Sequence, residues 1–194
     1  IYPVETIAAA RCLQAAMPDA LTTGAVGGGD PIPGFDFGNT PTVFQNLRLD
    51  NRPLIQSTAA GAHGITRFNQ VRALFAGSLV CARATAAAIA ALNPSEVTFV
   101  ITGEWVDRDG DEDIACADYL ATLLNGTNPD PLRYEQRVRN SDFGRRFLAE
   151  DNPNLPASDL ELCAVANRFD FAMQASRLHD HMVLRKVIPG GANR

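Results

Sequence analysis

A layered α/β/α fold with a largely parallel sheet is what this sequence predicts, and three observations carry the prediction. Short apolar or β-branched runs alternate with alanine-rich stretches of helical spacing throughout residues 2–124. Most of these runs close on glycine or a hydroxyl residue before the next helical stretch begins. The helical stretches are long enough to cross over between parallel strands, and crossovers of one hand put every strand-to-helix turn on one rim. Folds of this kind bind ligands outside the carboxyl ends of their strands. The turns at 24–30, 58–64, 77–80 and 103–113 are therefore expected to line one cleft, with glycines and hydroxyls on one side and carboxylates on the other.

Each element has its own signal. Residues 2–4 read as a strand already in progress, and since Ile1 is not an initiator a segment upstream is expected. Residues 5–17 are rich in alanine, with Ile7, Ala8, Cys12 and Ala15 along one side of a helix that Pro18 stops. A strand over 21–26 leads into the glycine- and proline-rich loop 27–41, longer than the usual connection in such units. Thr40 and Pro41 suit the N-cap and first position of a short helix. Strands are predicted over 54–58, 73–76 and 97–102, and helices from 63 or 64 to 71, over 79–92 with Ser78 as cap, and from the acidic loop to 124. Beyond 128 the chain is polar and basic, reading as exposed helices joined near Asn140 and Ser141, then a helix capped by Ser158 or Asp159. A last strand over 182–187 is given an edge position by its basic residues. Residues 1–127 thus form an α/β core, and 128–194 a helical extension with one edge strand, packed on the same domain.

Composition excludes some functions. The 194 residues are 46% hydrophobic and 20% charged, ordinary for a soluble globular protein with one substantial core or two small ones. No apolar stretch suits a bilayer, so no membrane partner is expected. A net charge of -5 disfavours a bulk grip on nucleic acid. Cys12, Cys81, Cys116 and Cys163 are widely spaced with no CxxC, which predicts reduced, buried, packing thiols and a cytoplasmic location. Phe35 and Phe37 in the long loop call for a pocket or a partner, and a homodimer is predicted on that ground.

The chemistry concentrates in two turns. Asp107, Asp109, Asp111, Glu112 and Asp113 crowd the stretch between a predicted strand and a helix. That many oxygens suit a hard cation such as Mg2+, which needs only one or two protein carboxylates. Asp111, Glu112 and Asp113 are the candidate metal ligands. The glycine spacing is not that of an EF-hand. A solvated turn with ordinary helix-capping carboxylates would have the same composition. The second turn, STAAGAHG at 57–64, lets backbone amides converge on an anion, with Ser57, Thr58, Gly61 and His63 as candidate phosphate contacts. It lacks the lysine of a Walker A loop, and a plain tight turn would also explain its glycines. His179 and His181 read as part of a helix end, where i and i+2 diverge, so a metal pair is not expected there.

Read together, the two loops carry a resemblance. Residues 32–41, IPGFDFGNTP, resemble the GF-D-x-GN-S/T-P signature of the 2-phosphosulfolactate phosphatase family, and Glu112-Asp113 followed by Cys116-Ala117 is similar to that family's acidic segment. The resemblance runs from the first residue to about 124 and implies an α/β phosphatase fold, Mg2+ as cofactor and a small anionic phosphate ester as partner. The implied reaction is hydrolysis of 2-phosphosulfolactate, or a related phosphorylated acid, to alcohol and phosphate. It also implies Glu112 and Asp113 as the catalytic pair and a substrate loop carrying Asp36, Gly38 and Asn39. Ala25, Ala60 and Ala62 stand where the family carries polar side chains, which leaves open a decayed member that binds an anionic metabolite or serves in an assembly.

Overall fold

In the computed structural model, residues 1–26, 29–68, 70–103, 110–149 and 153–190 are described. The chain runs β1 (Tyr2–Val4), α1 (Ile7–Ala16), β2 (Leu21–Val26), β3 (Asp30–Pro31), α2 (Pro41–Phe44), β4 (Leu54–Ser57), α3 (Gly61–Arg67), β5 (Leu74–Ala76) and α4 (Ala82–Ala91). It continues with α5 (Asp111–Leu124), α6 (Leu132–Asn140), α7 (Asp142–Arg146), α8 (Ala157–Cys163), β6 (Ala172–Leu178) and β7 (His181–Val187). The alternation of strand and helix gives the expected layered α/β architecture with a parallel sheet at its centre.

That sheet has the order β1-β4-β2-β3, with β1, β4 and β2 parallel and β3 antiparallel at the edge. Placing β4 between β1 and β2 makes it central, and Ile55 on it is wholly buried against Val4, Ala10, Leu13 and Ala20. Burying side chains of that size stabilises the fold by roughly 1.5–3 kcal/mol each. α1 starts where Thr6 Oγ1 accepts from the Ala9 amide, and it turns Ala10 and Leu13 onto the sheet. The close spacing of β2 and β4 depends on Gly24, where a Cβ would stand 2.2 Å from the Ser57 carbonyl oxygen.

Two features of the second half differ from the sequence reading. Residues 97–102 form no strand. A β-branched run needs a neighbouring edge to complete its ladder, and β5 gives its paired edge to β6 in an antiparallel sheet of order β5-β6-β7. The stretch holding His179 and His181 is no helix end but the turn of the β6–β7 hairpin, where Leu178 pairs with His181. His179 takes the left-handed conformation (φ 52°) that such two-residue turns require. The C-terminal third therefore supplies two strands as well as helices. Its last strand ends the β5-β6-β7 order, yet Leu184 exchanges both backbone hydrogen bonds with Ile1, at 3.0 and 2.8 Å.

A second core joins α4, α5 and α6 through Leu79, Ala82, Ala86, Tyr119, Leu120 and Tyr134, with the two tyrosine rings 4.8 Å apart. Asn167 closes it. Its Nδ2 donates to the Tyr119 hydroxyl oxygen at 2.6 Å, its Oδ1 accepts from the Arg83 amide at 2.8 Å, and its backbone sits at φ 58°. All four cysteines are free, but Cys12 and Cys163 are exposed rather than buried, because each falls on the outer side of its helix. Phe35 packs on the first core and Phe37 on Phe44, at 5.0 Å. Both rings are half-buried. Among the described residues, no helix is long and apolar enough to cross a membrane.

Candidate active site

The β4–α3 turn is built on the central strand. Ser57, buried at the end of β4, pairs in register with Gly24. The next residue turns back onto the helix, and Thr58 Oγ1 accepts from the Ala62 amide at 3.1 Å. That bond leaves the Thr58 hydroxyl proton to donate elsewhere. Gly61 opens α3 with nothing nearer to its would-be Cβ than Thr58 Oγ1 at 4.0 Å.

The turn into α5 is built by a carboxylate. Asp113 Oδ2 accepts from the Gly103 amide at 2.8 Å, and more loosely from the Thr102 amide and hydroxyl at 3.3 and 3.4 Å. A Cβ at Gly103 would lie 2.9 Å from Asp113 Oδ2 and 3.2 Å from Glu112 Oε1, so two carboxylates meet at a point only glycine leaves open. Three acidic residues in the first turn of α5 also sit well on the positive end of the helix dipole.

The two turns touch. A Cβ on Gly64 would stand 2.8 Å from Thr102 Cγ2, which lays α3 directly against the second turn. Gly61, Gly64, Thr102, Asp113 and Cys116 share one cavity of about 450 Å³, whose remaining wall is mostly apolar and includes β5. Burial, and after it the Asp113 charge, pushes the Cys116 thiol up to about 12, so it stays protonated.

Of the residues the sequence singled out, the structure brings Gly61 and Asp113 to this cavity and Glu112 to its edge at Gly103. Ser57, Thr58 and His63 do not line it. His63 lies toward Glu5, whose carboxyl is held below its usual range chiefly by Arg67. Asp111 turns to Arg137, which bonds Asp111 through Nη2 and Asp118 Oδ2 through Nη1 at 2.6 Å. Those two carboxylates raise the Arg137 pKa. Asp107 and Asp109 lie outside the described residues. Asp36 staples the signature loop to β2, since its Oδ2 accepts from the Thr22 amide and hydroxyl, both at 2.8 Å. Gly38 offers its carbonyl to Thr23 Oγ1 at 2.6 Å, and Asn39 is exposed. Sequence reasoning missed Thr102 and Arg137. The Thr-Gly pair before an acidic helix was a usable signal for the first, whereas nothing local marks Arg137.

The described residues hold no cluster of three or more His, Cys, Asp or Glu side chains arranged for a metal ion. The donor chemistry at Gly103 nevertheless suits a hard cation, because Glu112 and Asp113 converge there and Mg2+ takes one or two carboxylates. Asp111 fits less well, its carboxylate being engaged by a guanidinium.

Fold and site together define an α/β protein in which the helix opening after its central parallel strand lies against a carboxylate turn at the start of α5. The chain belongs to the 2-phosphosulpholactate phosphatase family, whose model matches residues 1–176, and so to a group of phosphatase-like hydrolases. It is 26% identical over 189 residues to a probable 2-phosphosulfolactate phosphatase of Bacillus subtilis, covering 97% of this chain and 82% of that protein. A protein of the same description from Carboxydothermus hydrogenoformans is 35% identical over 195 residues, covering 95% of this chain and 79% of its own. One from Deinococcus radiodurans is 28% identical over 198 residues, covering 97% and 80%.

Proposed function

We propose that this protein is a magnesium-assisted phosphatase that hydrolyses a small phosphate monoester, 2-phosphosulfolactate or a related phosphorylated acid, to alcohol and phosphate. The observation that carries the reading is the convergence of Glu112 and Asp113 at Gly103, against the helix that begins at the β4–α3 turn. Glu112 and Asp113 would hold the cation. When bound, Mg2+ would supply a positive charge that polarises the phosphoryl group. The chain's own groups do the rest. The amides about Gly61 bind phosphoryl oxygens, Asn39 reaches the organic part of the ester, and one of the two carboxylates orients the attacking water.

Ala25, Ala60 and Ala62 favour a second reading, an anion-binding protein without turnover, because Ala62 is buried in α3 and offers no polar group. A panel of phosphate esters that includes 2-phosphosulfolactate, assayed with Mg2+ and with chelator, separates the two. Phosphate release that requires the metal supports the phosphatase. Turnover untouched by chelation removes the metal role. No turnover, with orthophosphate binding measured by calorimetry, leaves the binding protein.

A further inference from the structure

The signature loop is fastened at both ends, and the second fastening comes from far along the chain. At its near end Asp36 and Gly38 are tied to Thr22 and Thr23 of β2. Its far end runs into α2, whose N-cap Thr40 makes no side-chain capping bond. The cap is supplied instead from α8. Asp159 Oδ1 accepts from the Thr42 amide at 2.9 Å and from Thr42 Oγ1 at 2.7 Å, across 117 residues of sequence. Asp159 is 1% exposed, and among the described residues its Oδ2 has no hydrogen-bond partner. A carboxylate buried this deeply is costly, so its retention is tied to what its bonded oxygen holds.

α8 is itself anchored. Arg139 of α6 holds Glu161 with two bonds, at 2.5 and 2.9 Å. On the same helix Arg137 holds Asp111 at the start of α5 and Asp118 further along it. A continuous chain of contacts therefore links the acidic turn, α6, α8 and the loop that carries Asn39.

We infer that Asp159 is a positioning residue for substrate binding: by capping α2 from α8 it fixes the signature loop, and with it Asn39, relative to the carboxylates of α5. The inference rests on the phosphatase reading for the identity of the ligand but not for the tether itself.

The test compares Asp159→Ala, Asp159→Asn and Thr42→Val in the full chain. Asn keeps the accepting oxygen, so Asp159→Asn should stay within about twofold of wild type. In Asp159→Ala the amides of 36–44 should lose hydrogen-exchange protection while β4 keeps its own. KM should rise about tenfold or more with kcat changed less, the signature of lost binding rather than lost chemistry. Thr42→Val removes only the hydroxyl donor and should shift both readouts in the same direction by less, which also serves if Asp159→Ala does not fold. Unchanged exchange in Asp159→Ala and Thr42→Val would overturn the tether. Lost protection with an unchanged KM would overturn the positioning role. Should the wild type turn over no ester, the phosphatase reading fails separately, and the affinity for 2-phosphosulfolactate by calorimetry takes the place of KM: weakening in Asp159→Ala supports the role, and an unchanged affinity overturns it.

Discussion

The two turns that face each other across the cavity are made in opposite ways. The β4–α3 turn leaves a strand paired on both sides, by β1 and by β2, and needs only the single Thr58–Ala62 bond to close. The turn into α5 leaves residues 97–102, which have no ladder, and it is shaped by the three donors that converge on Asp113. Where the sheet positions the backbone, the side chains of the turn are free for a ligand. Where it does not, a side chain that would serve the chemistry must also hold the backbone. Asp113 therefore carries a structural load that Thr58 is spared.

The sharpest contrast is between removing Asp113 and removing Thr58. Asp113→Ala should lower turnover about a hundredfold or more if the carboxylate serves the transition state. It should also destabilise the fold by about 1–3 kcal/mol, because the Gly103 amide loses its acceptor. Thr58→Ala should cost about 1 kcal/mol of stability. Steady-state kinetics and denaturant unfolding read both, and equal stability losses would erase the distinction drawn between the turns.

The glycines sharpen it next. Gly103→Ala drives a methyl group onto two carboxylate oxygens and should destabilise by about 1–3 kcal/mol. Gly61→Ala meets open space at the first position of a helix and should be neutral, or stabilising by about 0.4–1 kcal/mol. Thermal unfolding in which Gly61→Ala proved the worse of the pair would mean the β4–α3 turn is the crowded one.

The smallest effect is chemical. With its thiol pushed up from 9.0 to about 12, Cys116 should carry roughly a thousandfold less thiolate at pH 7.5 than an ordinary cysteine. Alkylation followed by peptide mass mapping should label Cys12 early and Cys116 last. The Cys116 rate should go on climbing with pH well past the usual thiol range, since the thiolate fraction grows until pH reaches the raised value. Asp113→Ala should quicken labelling of Cys116, because it removes a negative charge that opposes the thiolate.

Much of the fold was legible in the sequence because local signals agreed with one another. The run at 21–26 became β2 with the expected bounds, the helix expected over 5–17 formed as α1, and Ser141 capped α7 near the predicted joint. Failures came where the deciding partner is remote. Residues 97–102 have strand chemistry, but strand formation is decided by an available edge. The apolar residues near His179 fit a helix end until β5 offers an edge to β6. Asp159 reads as a local cap of α8 because a sequence shows only neighbours, while its carboxylate caps a helix 117 residues away. The site divided in the same way. Gly61 was visible from its glycine-rich turn, and Glu112 and Asp113 from the family resemblance, whereas the capture of Asp111 by Arg137 depends on how α6 packs on α5.

Asn167 sets a limit on how this protein can drift. One position must at once hold a left-handed backbone, present a donor to the Tyr119 hydroxyl and present an acceptor to the Arg83 amide. Glycine satisfies the first demand alone and loses the other two. Aspartate can accept but offers no amide proton, and glutamine reaches too far from a backbone it does not favour. A library randomised at this codon and sorted for folded protein should therefore return asparagine far above every alternative. Neighbouring surface positions such as Phe169 should accept many residues. The tolerance of a position to substitution here follows the number of separate geometric demands placed on it, more than its distance from Glu112 and Asp113.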